Sequence, residues 1–254
     1  MPYHLIRILQ DWDEIGYATM ELQRQRLPTH PLVQKNWDFW QILAFRSFAH
    51  KRVIDLGCGG LHLLNFLTSM GFNNLAGIDV SLSLSDRLYP FFYSFFSKRA
   101  VRPAYKLFVR NIEKTGFDDN SFDFAICLSV IEHGVNLHRF FCETSRILAD
   151  GAILYLSTDY WEPKIHTYER MYGAKWTIFS KREINQLIEI AKRYGFKLRN
   201  EAEIPKVKDP VIRNLGKGYT FCSVEMELKR DKLASGYKTN NAKVMRGLVG
   251  AQNH

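Results

Sequence analysis

Apolar residues recur with a helical period in two segments near the start of the chain. Residues 11–26 and 36–48 place apolar side chains three and four positions apart, which predicts two amphipathic helices separated by the sequence LPTHP. From residue 51 onward, short apolar runs rich in β-branched residues alternate with helical patterns. The first part therefore predicts an N-terminal helical cap, and the second an α/β domain.

The alternation after residue 51 is regular enough to predict a topology. Strands are indicated for KRVIDL, LAGIDV, YKLFVRN, SFDFAICLSV and AILYLSTDY, and helices for LHLLNFLTSMG, NLHRFFCETSRILADG and SKREINQLIEIAKRYG. Strands joined through helices by short connections predict a doubly wound, mostly parallel sheet. The last two strands, FKLRNEAEI and YTFCSVEMEL, have no helix between them and should pair antiparallel, which gives an α/β fold with seven strands.

Three regions are predicted by these patterns: a helical cap or lid over residues 1–50, a main α/β domain over 51–230, and a flexible basic tail over 231–254. Inside the domain, a helix is expected to begin at Ser81 or Ser83. It is interrupted by Pro90, and aromatic residues crowd positions 89–96. This segment is either a kinked helix packed into the core or an aromatic wall beside a ligand.

Composition narrows the class of protein. The chain has 254 residues, 46% of them hydrophobic, and a net charge of +9. No apolar run is long enough to cross a bilayer and no secretory signal is visible, so we expect a cytoplasmic protein without membrane insertion. The four cysteines form no CxxC pair, which favours reduced core thiols over a metal site. The basic excess lies in the last third and leaves RNA binding open as an alternative to a solvated face.

The sequence RVIDLGCGGLH contains the main candidate for ligand binding. Gly57, Gly59 and Gly60 follow a predicted strand and let the backbone turn sharply beside a ligand. His62 stands where a dinucleotide fingerprint requires glycine, which argues against a pyrophosphate. Asp55 suits a positively charged ligand group, and Asp79, at the end of the next strand, suits the hydroxyls of a ribose. Together they predict a site for a nucleoside without phosphates.

Four successive segments, VIDLGCGG, GIDVS, VRNIEKTGFDDNSFDFAICLSVIEHG and RILADGAILYLST, resemble motifs of class I S-adenosylmethionine-dependent methyltransferases, particularly the small-molecule branch. The resemblance covers Lys51 to about Tyr160. It implies a Rossmann-like fold with S-adenosyl-L-methionine as the cofactor. By the resemblance, Asp55, Gly57 and Gly59 line the methionine portion, Asp79 holds the ribose, Asn111 and Ile112 flank the adenine, and Cys58, Val80 and Leu128 complete the cofactor site.

Two positions depart from the pattern of the family. Asn111 stands where most relatives have aspartate, although an amide oxygen can still accept a hydrogen bond from the adenine amino group. Leu61 stands where relatives usually have glycine, which makes the turn tighter for a ligand. These departures leave open a non-catalytic, methyltransferase-like binding protein.

Candidate catalytic and acceptor-binding residues follow the later strands. The candidate catalytic residues are the adjacent pair Glu132 and His133. His133 could take a proton from a nucleophile near neutral pH, or could be a structural loop residue. The residues expected to contact the acceptor are Asp159, Tyr160, His166, Trp37 and Tyr17. Motifs typical of enzymes that methylate nucleobases or protein arginine are absent. The leading hypothesis is therefore methyl transfer to oxygen or nitrogen of a small metabolite, such as a saccharide or a secondary metabolite, with an RNA methyltransferase as the alternative.

Overall fold

The structure, a computed structural model, describes residues 6–83, 105–198 and 203–230. The predicted aromatic helix around Pro90 and the predicted basic tail lie outside the described residues. The described residues form a central β-sheet with helices packed against it.

Seven strands form the path of the central sheet, in the order β1-β11-β6-β5-β2-β3-β4. The five strands from β6 to β4 are parallel, whereas β11 runs antiparallel to both β6 and β1. Two further short strands, β9 and β10, pair antiparallel with β11. The strands are β1 Ile6–Ile8, β2 Val53–Leu56, β3 Leu75–Asp79, β4 Tyr105–Val109, β5 Phe122–Leu128, β6 Leu148–Tyr160, β9 Phe196–Leu198, β10 Ile212–Asn214 and β11 Lys217–Leu228. A separate hairpin consists of β7 Arg170–Met171 and β8 Ala174–Lys175.

The central strands are apolar because helices cover both faces of a parallel sheet. All four residues of β2 are buried, as are five of the seven in β5. From β2 the chain continues to β3 and β4 on one side of the sheet and then crosses to β5 and β6 on the other side. The order of the strands therefore reverses at β2. In doubly wound sheets, ligands bind beyond the carboxyl ends of the strands at this switch point.

The α-helices among the described residues are α1 Trp12–Arg24, α2 Asn36–Ile42, α3 His62–Ser69, α4 Leu137–Ile147 and α5 Lys181–Arg193. Helix α5 begins with the predicted capping box, because Ser180 and Glu183 bond reciprocally. Helix α4 ends earlier than predicted, at Ile147. The expected glycine stop, Gly151, instead lies in a bulge of β6, where the register with β5 shifts. No described helix is both long and apolar enough to cross a membrane.

The N-terminal region, predicted as a helical cap or lid, contributes one strand to the central sheet and several side chains to its core. Its first described residues form β1, a strand of the central sheet, which three residues were too few to reveal in the sequence. Phe39 of α2 stacks on Phe66 of α3 with ring centroids 4.4 Å apart, and Phe45 packs against Phe124 of β5 at 4.7 Å. Residues before position 50 therefore share one hydrophobic core with the sheet.

Candidate cofactor and acceptor site

The glycine turn lies where the ends of three strands meet. Gly57 and Gly60 adopt φ angles of 96° and 75°. A Cβ atom on Gly57 would lie 2.3 Å from Cγ2 of Val130, in the loop after β5, so only glycine fits there. The N–H groups of Gly57 and Cys58 donate to the carbonyl oxygen of Ile78, at 2.8 and 3.0 Å. The turn is thereby fixed to the end of β3 and lies close to the end of β5.

Asp79 ends β3, and its carboxylate is held in one orientation. Its Oδ2 accepts a hydrogen bond from the N–H of Gly59 at 3.2 Å. Its Oδ1 accepts from the N–H and the hydroxyl of Ser81, at 2.8 and 2.6 Å. A carboxylate has about four lone-pair sites, so acceptor capacity remains for a ligand. The next residue, Val80, is 67% exposed and offers an apolar surface beside that carboxylate.

Asp55 lies under the turn and is 3% exposed. Burial, followed by the negative charge of Asp79, raises the pKa of Asp55 to about 8. A buried carboxylate with only a like charge beside it is unfavourable unless a cation joins it. A ligand carrying an ammonium or sulfonium group would offset both effects, so the pair formed by Asp55 and Asp79 fits S-adenosylmethionine.

The remaining predicted cofactor residues differ in their exposure and in their contacts. The side-chain oxygen of Asn111 accepts a hydrogen bond from the N–H of Glu113 at 2.8 Å, in a turn of its own. Ile112 is buried in the core, and Leu128 is half-buried at the end of β5. The side chain of Cys58 lies under β3, where a Cβ on Gly77 would approach its Sγ to 2.8 Å. Cys58 thus shapes the turn from beneath.

Lys35, to which no sequence pattern points, lies at the end of β5. Its ammonium donates a hydrogen bond to Oγ of Ser129, the first residue after that strand. It also lies over the ring of Phe221, 3.7 Å from the centroid, and 3.7 Å from Oδ2 of Asp38. Ser129 has a φ of 52°, an uncommon conformation for serine. A cation from the N-terminal region is thus placed on the strand edge next to the glycine turn.

Three buried acids surround this lysine. Asp38, Glu132 and Asp159 are at most 5% exposed. Burial raises the pKa of all three, and the positive charge of Lys35 opposes the shift in each case. Glu132 accepts a hydrogen bond from the Thr158 hydroxyl, and Asp159 accepts one from the indole of Trp176. Glu132, predicted as a catalytic residue beside His133, is 1% exposed, so its carboxyl group is enclosed by the protein.

His133 lies in the loop after β5 and is half-buried. Burial, followed by the positive charge of Lys35, lowers the pKa of its imidazole, which favours the neutral ring at neutral pH. Its Nδ1 is buried without a hydrogen-bond partner, which leaves Nε2 as the nitrogen able to meet an acceptor. The ring of Tyr172, 86% exposed at the tip of the β7–β8 hairpin, stands perpendicular to the imidazole at 5.2 Å.

Two predicted acceptor contacts belong to the core instead. Trp37 is 1% exposed and donates its indole N–H to Glu14, while Tyr160 is 2% exposed at the end of β6. Trp37 is predicted in the helical lid and Tyr160 on the rim after a strand, but tertiary packing buries both rings. Tyr17 and His166 are exposed, and the Tyr17 ring packs edge-on against Trp40 at 5.6 Å.

The parallel sheet, the glycine turn at its switch point and the two acids beyond β2 and β3 define a class I S-adenosylmethionine-dependent methyltransferase. The family model for the methyltransferase domain matches residues 23–201, and the chain belongs to this family. A search of curated proteins finds no match.

Solved structures share the fold at low sequence identity. A methyltransferase from Methanosarcina mazei is 16% identical, with 75% of this chain and 98% of that chain covered and a TM-score of 0.53. The 1,6-didemethyltoxoflavin-N1-methyltransferase of Burkholderia thailandensis is 11% identical, with 91% and 98% covered and a TM-score of 0.53. The [4+2]-cyclase SpnF is 12% identical, with 90% and 100% covered and a TM-score of 0.56.

Proposed function

We propose that the protein transfers a methyl group from S-adenosylmethionine to an oxygen or nitrogen atom of a small metabolite. The main support for this proposal is the environment of Asp55. This acid is buried, and the charged group that acts on it is another acid, Asp79. In the proposal, Asp55 faces the positive charge of the cofactor and Asp79 accepts hydrogen bonds from the ribose hydroxyls. Val80 covers one face of the nucleoside. When bound, the cofactor supplies a methyl carbon activated by positively charged sulfur.

His133 is the proposed proton acceptor. Its neutral imidazole can take a proton at Nε2 from a hydroxyl or amine as that group attacks. The end of β5 and the loop carrying His133 hold the nucleophile in line and exclude water, which is the main requirement for this displacement. Asp159 and Glu132 lie behind the site, where the charge of Lys35 limits the rise that burial causes in their pKa values.

A small acceptor is supported by one of the relatives. The Burkholderia enzyme was crystallised with 1,6-didemethyltoxoflavin, a small molecule, and S-adenosylhomocysteine. The likeness to SpnF, a cyclase, means that the fold by itself does not guarantee methyl transfer. Cofactor binding therefore has to be measured directly.

Isothermal titration with S-adenosylhomocysteine tests the proposal. The wild-type protein should bind it, and Asp79→Ala should weaken binding by about 100-fold, as expected when two hydrogen bonds to a charged group are lost. Asp118→Ala, which removes an exposed acid from a distant turn, is the matched control and should bind normally. Absence of binding by the wild-type protein would contradict the proposal and favour a non-catalytic role.

A further inference from the structure

The ammonium of Lys35 has hydrogen-bonding capacity that the protein does not use. A lysine ammonium has three N–H donors. One is used by Ser129, and Phe221 offers its ring face. The carboxylate of Asp38, at 3.7 Å, is too far for a hydrogen bond. The Lys35 side chain is 15% exposed, so it is not fully enclosed by the protein.

The polar residues of α2 show that Asp38 serves the lysine. Asn36 bonds to Thr19 and to the backbone of His30, and Gln41 accepts from Ser223. Asp38 is 0% exposed, and neither of its oxygens has a hydrogen-bond partner. Lys35, one turn earlier on the same segment, places its ammonium 3.7 Å from Oδ2 of Asp38 and is the positive charge that acts on this carboxylate. The carboxylate therefore positions the ammonium by charge.

Lys35 and His133 are both placed at the loop that follows β5. Ser129, which Lys35 contacts, and His133 are four residues apart in one loop, and the Lys35 charge acts on the imidazole. Val130, between them, packs against Gly57 of the cofactor turn. An acceptor atom that meets Nε2 of His133 next to that turn is thus within the field of the ammonium.

We propose that Lys35 binds the methyl acceptor and that this acceptor is an acidic hydroxyl compound, a phenol or an enol. This inference rests on the proposed function. The O–H bond breaks, its proton goes to Nε2 of His133, and the electron pair stays on the oxygen, where the Lys35 ammonium stabilises the negative charge. A protonated amine would be repelled by the lysine and would have no free electron pair for attack.

The test compares an anionic with a cationic probe on protein saturated with S-adenosylhomocysteine. At pH 8, 4-nitrophenol is largely the phenolate and benzylamine is the ammonium, and both are small enough for one site. Wild-type protein should bind 4-nitrophenolate in preference to benzylammonium. Its bound nitrophenol should also turn yellow at a lower pH than the free compound, because the ammonium favours the anion.

Variants assign the effect to one side chain. Lys35→Met should lose about tenfold or more in 4-nitrophenolate affinity, as expected for one hydrogen bond to a charged group, without loss of benzylammonium binding. Lys35→Arg should retain the anion preference. Lys175→Met, which removes an exposed charge from the neighbouring hairpin, is the matched control and should behave like the wild type.

The outcomes separate this inference from the proposed function. Failure of the saturated wild-type protein to bind 4-nitrophenolate, a preference for benzylammonium, or equal anion binding by folded Lys35→Met would overturn the assignment. The wild-type comparison decides even if the variant does not fold. S-Adenosylhomocysteine binding is measured first, before any probe is added. If the wild-type protein does not bind it, that result contradicts the proposed function instead.

Discussion

Replacing Asp55 by asparagine should stabilise the protein without cofactor and weaken cofactor binding. The folded state raises the pKa of this carboxyl from 3.8 to about 8, through burial and the charge of Asp79. The folded protein therefore keeps a proton that the unfolded chain has already released between these two pH values. By linkage, the wild-type protein loses stability as pH rises through this window, and the loss is complete above about pH 8.

The size of the effect follows from the pKa difference. Each pKa unit corresponds to about 1.4 kcal/mol, so at pH 7, some three units above the ordinary value, the cost is about 4 kcal/mol. Asparagine has nearly the same shape and does not titrate. Since its amide must also be buried, about 4 kcal/mol is an upper bound on the gain of Asp55→Asn at pH 7.

Urea denaturation of both proteins between pH 5 and pH 8 measures this gain. The difference in unfolding free energy between variant and wild type should grow by about 1.4 kcal/mol for each pH unit up to about pH 7, and more slowly as the pH approaches the folded-state pKa of about 8. Asp118→Asn, at an exposed position, should show no such slope. Titration with S-adenosylhomocysteine should show weaker binding by Asp55→Asn. A pH-independent difference, or a variant less stable than wild type at pH 7, would refute the assignment of Asp55 as an uncompensated buried acid.

Three further substitutions test other parts of the structure. His133→Ala should lower kcat by about 100-fold or more while leaving S-adenosylhomocysteine affinity unchanged; equal losses in both would contradict a role in proton transfer. Because burial lowers the pKa of His133, the acidic limb of the wild-type rate profile should lie below the pH of an ordinary histidine. Phe39→Ala should cost about 3–5 kcal/mol in urea denaturation, since it removes a buried ring stacked on Phe66; a cost below 1 kcal/mol would mean that α2 is not part of the core. Ser180→Ala should cost about 1 kcal/mol through loss of the α5 capping box, and an unchanged midpoint would show that the cap is redundant.

Features with a local sequence signature were predicted correctly. The glycine turn and the acid at the end of β3 depend on residues close together in the chain, and so does the capping box at Ser180. The parallel order of the strands follows from their alternation with helices. Strand β1 was missed because three residues, Ile6–Ile8, are too few for a period, and its partner lies in β11, more than 200 residues away.

The acceptor side could not be predicted in the same way. Lys35 and Ser129 are 94 positions apart in the chain, and no pattern in the sequence predicts their contact. Asp38 is a charged residue in a segment predicted as an amphipathic helix, and such residues are expected on the exposed face. In the structure α2 is buried on nearly all sides, so the carboxyl group of Asp38 lies inside the protein. Trp37 and Tyr160 show the reverse error, because an aromatic ring on an amphipathic helix or at a strand end can pack into the core as readily as face an acceptor.

The position of α2 also bears on how an acceptor enters. The helix contributes Phe39 and Ile42 to the core around α3, and the residue before it, Lys35, to the edge of the sheet. Moving α2 as a lid would expose these two side chains, at about 1.5–3 kcal/mol each, and would break the contact of Lys35 with Ser129. The loop of His133 is covered on its outer side by the exposed ring of Tyr172, whose displacement uncovers little apolar surface. Displacing the β7–β8 hairpin would therefore cost less free energy than moving α2.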